Sequence, residues 1–166
     1  MDYAQMLPPR GVHTRLLAVP PAGAAPPYHG AMRPQPLVAV RDVEASSRWY
    51  QTLLGCASAH GGREYERLVA DGRLILQLHN WEVDHHHGPI GDPDLRPYGN
   101  GVLLWFEVDD FDAAVQRAGE LGAEVVQPPH RNPPEGEPGG PAHREIWVKD
   151  LDGYTVVVAS PDGEAA

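Results

Sequence analysis

Cysteine is almost absent from this chain: one residue, Cys56, stands among 166. A single thiol excludes an intrachain disulfide and any site that needs several cysteines from one chain. It fits a reducing compartment. Positive charge is also scarce. Thirteen Lys and Arg face 23 Asp and Glu, a formal charge of −10 with histidine neutral. That balance argues against unaided binding to nucleic acid or an anionic membrane, and it suits a cationic ligand. No apolar run reaches bilayer-spanning length, and the first residues lack a basic segment followed by an apolar one. The expectation is a cytoplasmic protein, neither exported nor membrane-embedded. Nucleotide-binding glycine motifs are missing too. "GGREYERL" (61–68) has two glycines but not the strand–turn–helix context that a phosphate cradle needs.

What is present divides near residue 35. Residues 1–36 hold eight of the 18 prolines and carry Arg10, Arg15 and Arg33 against Asp2. Rich in Pro and Ala and without apolar periodicity, residues 1–34 read as a disordered tail. Residues 35–160 read as one domain, and 161–166 as a short second tail. Within the domain the chain repeats itself. "VAVRDVEASSRWYQTLLG" opens one unit and "WFEVDDFDAAVQRAGELG" a second, with Val40-Arg41-Asp42 matching Val108-Asp109-Asp110. Each begins with an apolar strand, meets an Asp placed to cap a helix, and ends that helix at a glycine, Gly55 or Gly122. Trp49, Tyr50, Leu53 and Leu54 share one face of the first helix. Phe111, Ala114, Val115, Ala118 and Leu121 share one face of the second, and both stripes read as core.

Strand patterns follow each helix, near 56–60, 64–70 and 74–79 in the first unit and 124–127, 143–149 and 154–159 in the second. Each unit is therefore βαβββ, about residues 35–80 and 101–160, and the fold class is α+β. Two long loops break the pattern. Loop 81–100 joins the units and carries the run His85-His86-His87. Loop 128–142, "PPHRNPPEGEPGGPA", is rich in Pro and Gly.

Paired βαβββ units, "VRDVEASSRWYQTLLG", "FEVDDFDAAV" and the terminal "DLDGYTVVV" together resemble the vicinal oxygen chelate superfamily, which includes glyoxalase I, ring-cleaving dioxygenases, fosfomycin-resistance enzymes and bleomycin-resistance proteins. The resemblance implies two units forming a cup-shaped mixed sheet with helices on its outer side. In metal-dependent members, four side chains from the first and last strands of each unit hold one ion. Carried onto this chain, those positions are Gln35, Gln77 (Leu76 if the alignment slips by one residue), Leu103 and Val157. Leucine and valine have no lone pair, and two amides are a poor donor set for a divalent ion. The expectation is no cofactor and no metal at these positions.

Strand alternation says what faces the cup instead. Leu103, Trp105 and Glu107 share one face, as do Ile75, Gln77 and His79, with Glu145, Trp147, Thr155 and Val157 on the neighbouring strands. Leu74, Leu76, Leu78, Leu104, Phe106, Val156 and Val158 form the opposite, helix-covered face. Candidate ligand contacts are Trp105, Trp147, Glu107, Gln77, His79 and Glu145, because indole over a ring or cation adds stacking and cation–π attraction. The alternative is that the two indoles fill the cup and Glu107 is solvated at its rim. The His85–His87 run falls in a loop, its three consecutive side chains point apart, and it reads as solvated. His79 is the better candidate, for a ligand or for an unorthodox metal with Glu107; otherwise it is a strand-end histidine bonded to a carbonyl. Cys56 reads as a structural thiol.

The most economical function is metal-independent binding or sequestration of a small planar or cationic molecule, resembling bleomycin-resistance proteins, by a homodimer. Two alternatives stay open. One is a lyase, isomerase or dioxygenase-type enzyme using Glu107, His79 or Glu145, with a displaced metal as a variant of it. The other is a fold kept as an interaction module.

Overall fold

The structure is a computed structural model that describes residues 33–83, 87–134, 137, 142–161 and 163. The expected N-terminal tail (up to residue 32) and His85 and His86 lie outside the described residues. From residue 34 onward the chain forms one compact unit.

The repeat predicted from the sequence is present. The first βαβββ unit comprises β1 (Leu37–Val40), α1 (Val43–Leu54), β2 (Ala57–Ser58), β3 (Tyr65–Ala70) and β4 (Arg73–Asn80). The second comprises β5 (Leu103–Glu107), α2 (Phe111–Glu120), β6 (Glu124–Asn132), β7 (His143–Lys149) and β8 (Thr155–Ala159). Their sheets have the same order, β1-β4-β3-β2 and β5-β8-β7-β6, with the first pair parallel and the others antiparallel.

Local chemistry explains both helices. Asp42 and Asp110 each accept a hydrogen bond from the amide three residues on, Ala45 N and Ala113 N, both at 2.9 Å. Each satisfies one of the amides that a helix start leaves unpaired. Gly55 closes α1 at φ 70° and Gly122 follows α2 at φ 59°, conformations that a β-carbon disfavours.

Both helices and the back faces of both sheets share one hydrophobic core. It includes Val40, Tyr50, Leu53, Leu76, Leu78, Leu104, Ala114, Val148, Val156 and Val158. The face predicted to be helix-covered is the buried one, with Leu74 and Phe106 only partly enclosed. The alternate residues of each sheet therefore point away from this core. Polar stitches also join the units. Tyr50 donates to Asp150 Oδ2 at 2.8 Å, Arg41 N donates to Asp152, and Tyr154 Oη donates to Ala39 O at 3.1 Å. The motif "DLDGY" thus ties the last hairpin to β1 and α1. Gly99 belongs to the same joint. It sits at φ 63°, and a β-carbon there would come within 2.6 Å of the Tyr154 ring.

One expectation needs correction. The sequence places a loop from Pro128, but β6 continues to Asn132. Proline fits because β6 is the outermost strand, and its pairing with β7 shifts register between Val125 and Gln127 and again between Gln127 and His130.

Candidate functional site

The outward face of the first sheet borders a cavity of about 720 Å³ whose wall includes His60, Glu64, Tyr65, His79 and His87. Pairing β3 with β4 sets Tyr65 opposite His79 and Arg67 opposite Gln77. His79 is 3 % exposed, and its Nδ1 lies 2.7 Å from Asn80 O. Its Nε2 lies 3.3 Å from Nε2 of His87, whose own Nδ1 is 2.6 Å from Gly88 O. Tyr65 Oη donates to Gln77 Oε1, while Gln77 Nε2 donates to Gln35 O at 3.1 Å.

Glu66, between Tyr65 and Arg67, turns the other way and shapes the cavity wall. Its buried carboxylate accepts from Ser58 Oγ at 2.6 Å, Ser47 Oγ at 3.1 Å and the amides of His60, Gly61 and Arg67 at 2.7–3.1 Å. Burial alone would raise its pKa. The hydrogen bonds from Ser58, Gly61, Arg67 and His60 reverse that and draw it down to about 2. This carboxylate holds the turn carrying His60 and Gly61 against the sheet.

The outward face of the second sheet is built differently. Trp105 on β5, Val157 on β8 and Trp147 on β7 stand in one row. Trp105 is 44 % exposed, Trp147 is partly buried, and Val157 between them is fully covered. The edge of Trp105 meets His143, ring centroids 5.4 Å apart. In the next row is Glu145, only 1 % exposed. It accepts from Asn132 Nδ2 at 3.2 Å and lies 2.8 Å from His130 Nε2 and 3.3 Å from His143 Nε2.

The candidates therefore divide into three places. Gln77 and His79 share the first sheet. Trp105, Trp147 and Glu145 share the second, where Glu145 underlies two imidazoles rather than opening to solvent. Glu107 is exposed and borders a separate groove with Asp71, Asp109, Asp110 and Arg117, so the imagined pairing of His79 with Glu107 is not formed. Sequence reasoning missed Tyr65, His60, Glu66 and His87 on one side and His130, Asn132 and His143 on the other. The strand alternation that selected His79 and Glu145 also selects Tyr65 and His143, while His130 and Asn132 depended on extending β6 through two prolines. Cys56 is partly buried against the core, and burial first of all pushes its thiol up to about 11, so it is no nucleophile near neutral pH.

The superfamily's usual metal site does not fit. Both ends of the Gln77 amide are engaged by protein groups, Leu103 and Val157 offer no donor atom, and Val157 is fully buried. Among the described residues no three His, Cys, Asp or Glu side chains converge as a metal cage. Nor is any described helix long and apolar enough to cross a membrane.

Comparison with known proteins agrees with this architecture. A search of curated proteins returned no match. Among solved structures, the integron cassette protein VCH_CASS1 from Vibrio cholerae is 16 % identical, with a TM-score of 0.57 over 80 % of this chain and 97 % of that one. The genomically encoded fosfomycin resistance protein FosX from Listeria monocytogenes is 12 % identical, TM-score 0.56, covering 80 % and 95 %. TioX from Micromonospora sp. ML1 is 17 % identical, TM-score 0.51, covering 81 % and 100 %. At these identities the likeness is one of fold. The family model for the glyoxalase/bleomycin resistance protein/dioxygenase superfamily matches residues 34–158, and with the paired βαβββ units it places this chain in that superfamily.

Proposed function

We propose that the protein binds and sequesters a small planar or cationic molecule without the superfamily's metal, as bleomycin-resistance proteins do. The observation that carries this reading is the Trp105–Val157–Trp147 row on an outward face. Two indoles roof an aliphatic floor, and a flat ring laid on them would gain stacking and, if charged, cation–π attraction. The net charge of −10 favours a cation over an anion. Fosfomycin resistance in the name of a fold neighbour makes antibiotics a reasonable class to screen. A homodimer that brings a second copy against this face would turn an open wall into an enclosed pocket.

The test is a calorimetric screen of aromatic and cationic antibiotics in the presence of a chelator, with light scattering for mass. The expected outcome is a dimer that binds a planar cation with quenched tryptophan fluorescence. Trp105→Ala should weaken it by about 1–3 kcal/mol. Equal affinity in folded Trp105→Ala and Trp147→Ala proteins, or a monomeric mass at micromolar concentration, would count against the corresponding part.

A second reading has one specific observation behind it. A buried Glu145 flanked by two imidazoles is the arrangement by which a carboxylate orients an acid–base histidine. His143, at the edge of Trp105, would then be the catalytic group of a lyase or isomerase, and turnover without loss of the indole platform would favour it.

A further inference from the structure

We infer, on the reading that the indole row holds a flat ring, that Lys149 anchors an acidic group carried by that ring, so that the ligand is a planar carboxylic acid or a zwitterion containing one. Lys149 is the one lysine in the chain. Glu145, Trp147 and Lys149 alternate along β7, while Ile146 and Val148 between them are buried in the core. All three therefore belong to the outward face. Strand pairing sets Trp105, Val157 and Trp147 in one row and Leu103, Thr155 and Lys149 in the next. Rows two residues apart on a strand are separated by roughly 7 Å. A carboxylate on the rim of a ring laid over Trp147 thus comes within reach of the ammonium.

The ammonium is held in place. Lys149 Nζ donates to Thr155 Oγ1 at 2.8 Å and to Gly153 O at 3.1 Å. Both acceptors are neutral, so they orient the charge without cancelling it. They belong to the hairpin between β7 and β8, whose turn is itself fixed by Asp150 Oδ1 accepting from the amides of Asp152 at 3.0 Å and Tyr154 at 2.8 Å. Glu124 stands opposite Lys149 on β6 but is exposed, and water weakens a carboxylate's pull there. Lys149 is half-buried, and its side chain has already given up freedom to the hairpin. Pairing it with a ligand carboxylate costs less ordering than pairing a loose surface lysine. Along β7 the outward face reads carboxylate, indole, ammonium. A ring on the indoles meets Lys149 at one end and the Glu145 cluster at the other, so an acidic group on the ring gives it one orientation. The net charge of −10 acts at long range on the whole ligand, whereas this ammonium selects the substituent next to it.

The experiment compares 2-naphthoate with its neutral counterpart 2-naphthamide by calorimetry on the full chain. The parent should bind naphthoate more tightly by about tenfold or more, as a hydrogen bond between charged groups supplies. Lys149→Met should erase that preference, with a thermal melt verifying its fold. Trp105→Ala should weaken both probes alike, which separates the place of the ring from its anchor. Because the chain has one lysine, acylation of its amine followed by mass spectrometry gives a second reading on the unaltered protein. At equal occupancy, naphthoate should slow that acylation more than naphthamide does. Equal affinity of the parent for the two probes, a preference that survives Lys149→Met, or binding of neither probe would overturn the anchor. In the first two cases, loss of both probes in Trp105→Ala would still leave the indole row standing.

Discussion

Each unit buries one glutamate on its third strand, and the two point in opposite directions. Glu66 on β3 turns toward α1 and is held by hydroxyls and backbone amides. Glu145 on β7 turns outward and is held by His130, His143 and Asn132. The partners decide the consequence. Amides and hydroxyls donate at every accessible pH, so Glu66 remains a fixed charge that anchors a turn. Imidazoles change hydrogen-bonding role with their protonation, so Glu145 sits in a network that can move a proton. The repeat thus keeps one plan in its core while its two outward faces carry different chemistry.

The largest effect should come from Glu66→Gln. The amide presents hydrogens to donors that expect an acceptor, and the loss should be about 2–3 kcal/mol in denaturant unfolding. The pH dependence follows from the direction of its shift. The folded pKa lies near 2, below the ordinary 4.5. Its contribution is therefore complete above about 4.5 and disappears as pH falls through about 2, and the acid limb of the stability curve should flatten in Glu66→Gln. A parent and variant that lose stability in parallel on acidification would break the contrast with Glu145.

Glu145→Gln should cost less, about 1–2 kcal/mol, because Asn132 and both imidazoles can redirect their bonds to an amide oxygen. Its distinguishing readout is nuclear magnetic resonance of the His130 and His143 ring nitrogens, which should shift while those of His79 and His87 stay put. The smallest effect belongs to Glu107→Gln. This exposed position should change stability by less than about 0.5 kcal/mol. It should weaken cationic ligands more than neutral ones only if the ligand reaches its groove, and added salt should narrow that difference.

Most of the fold was legible because it is set by neighbours in sequence. Asp42 and Asp110 cap amides three residues away, Gly55 and Gly122 end helices by their own torsions, and strand alternation separates Leu76 and Leu78 from Gln77 and His79. The candidate site was legible only in part. Alternation puts Trp105, Trp147 and Glu145 on one face, but it cannot report that Glu145 lies beneath His130, because that contact depends on β6 passing two prolines with shifted register. It cannot bring His87 near His79 either, since alternation speaks only of residues on one strand and His87 lies beyond the end of β4. Glu66 was invisible for a related reason: its partners come from α1, β2 and the following turn at once.

The broken pairing of β6 has one more consequence. A regular, exposed outermost strand is a template on which a foreign strand can grow a sheet. Pro128 and Pro129 offer no amide hydrogen, and the two register shifts deny a newcomer a straight ladder. The second sheet is therefore guarded against fibril-like growth along this border. The first of the two interruptions falls where β6 also exposes Val125 and Val126, the apolar part of this border.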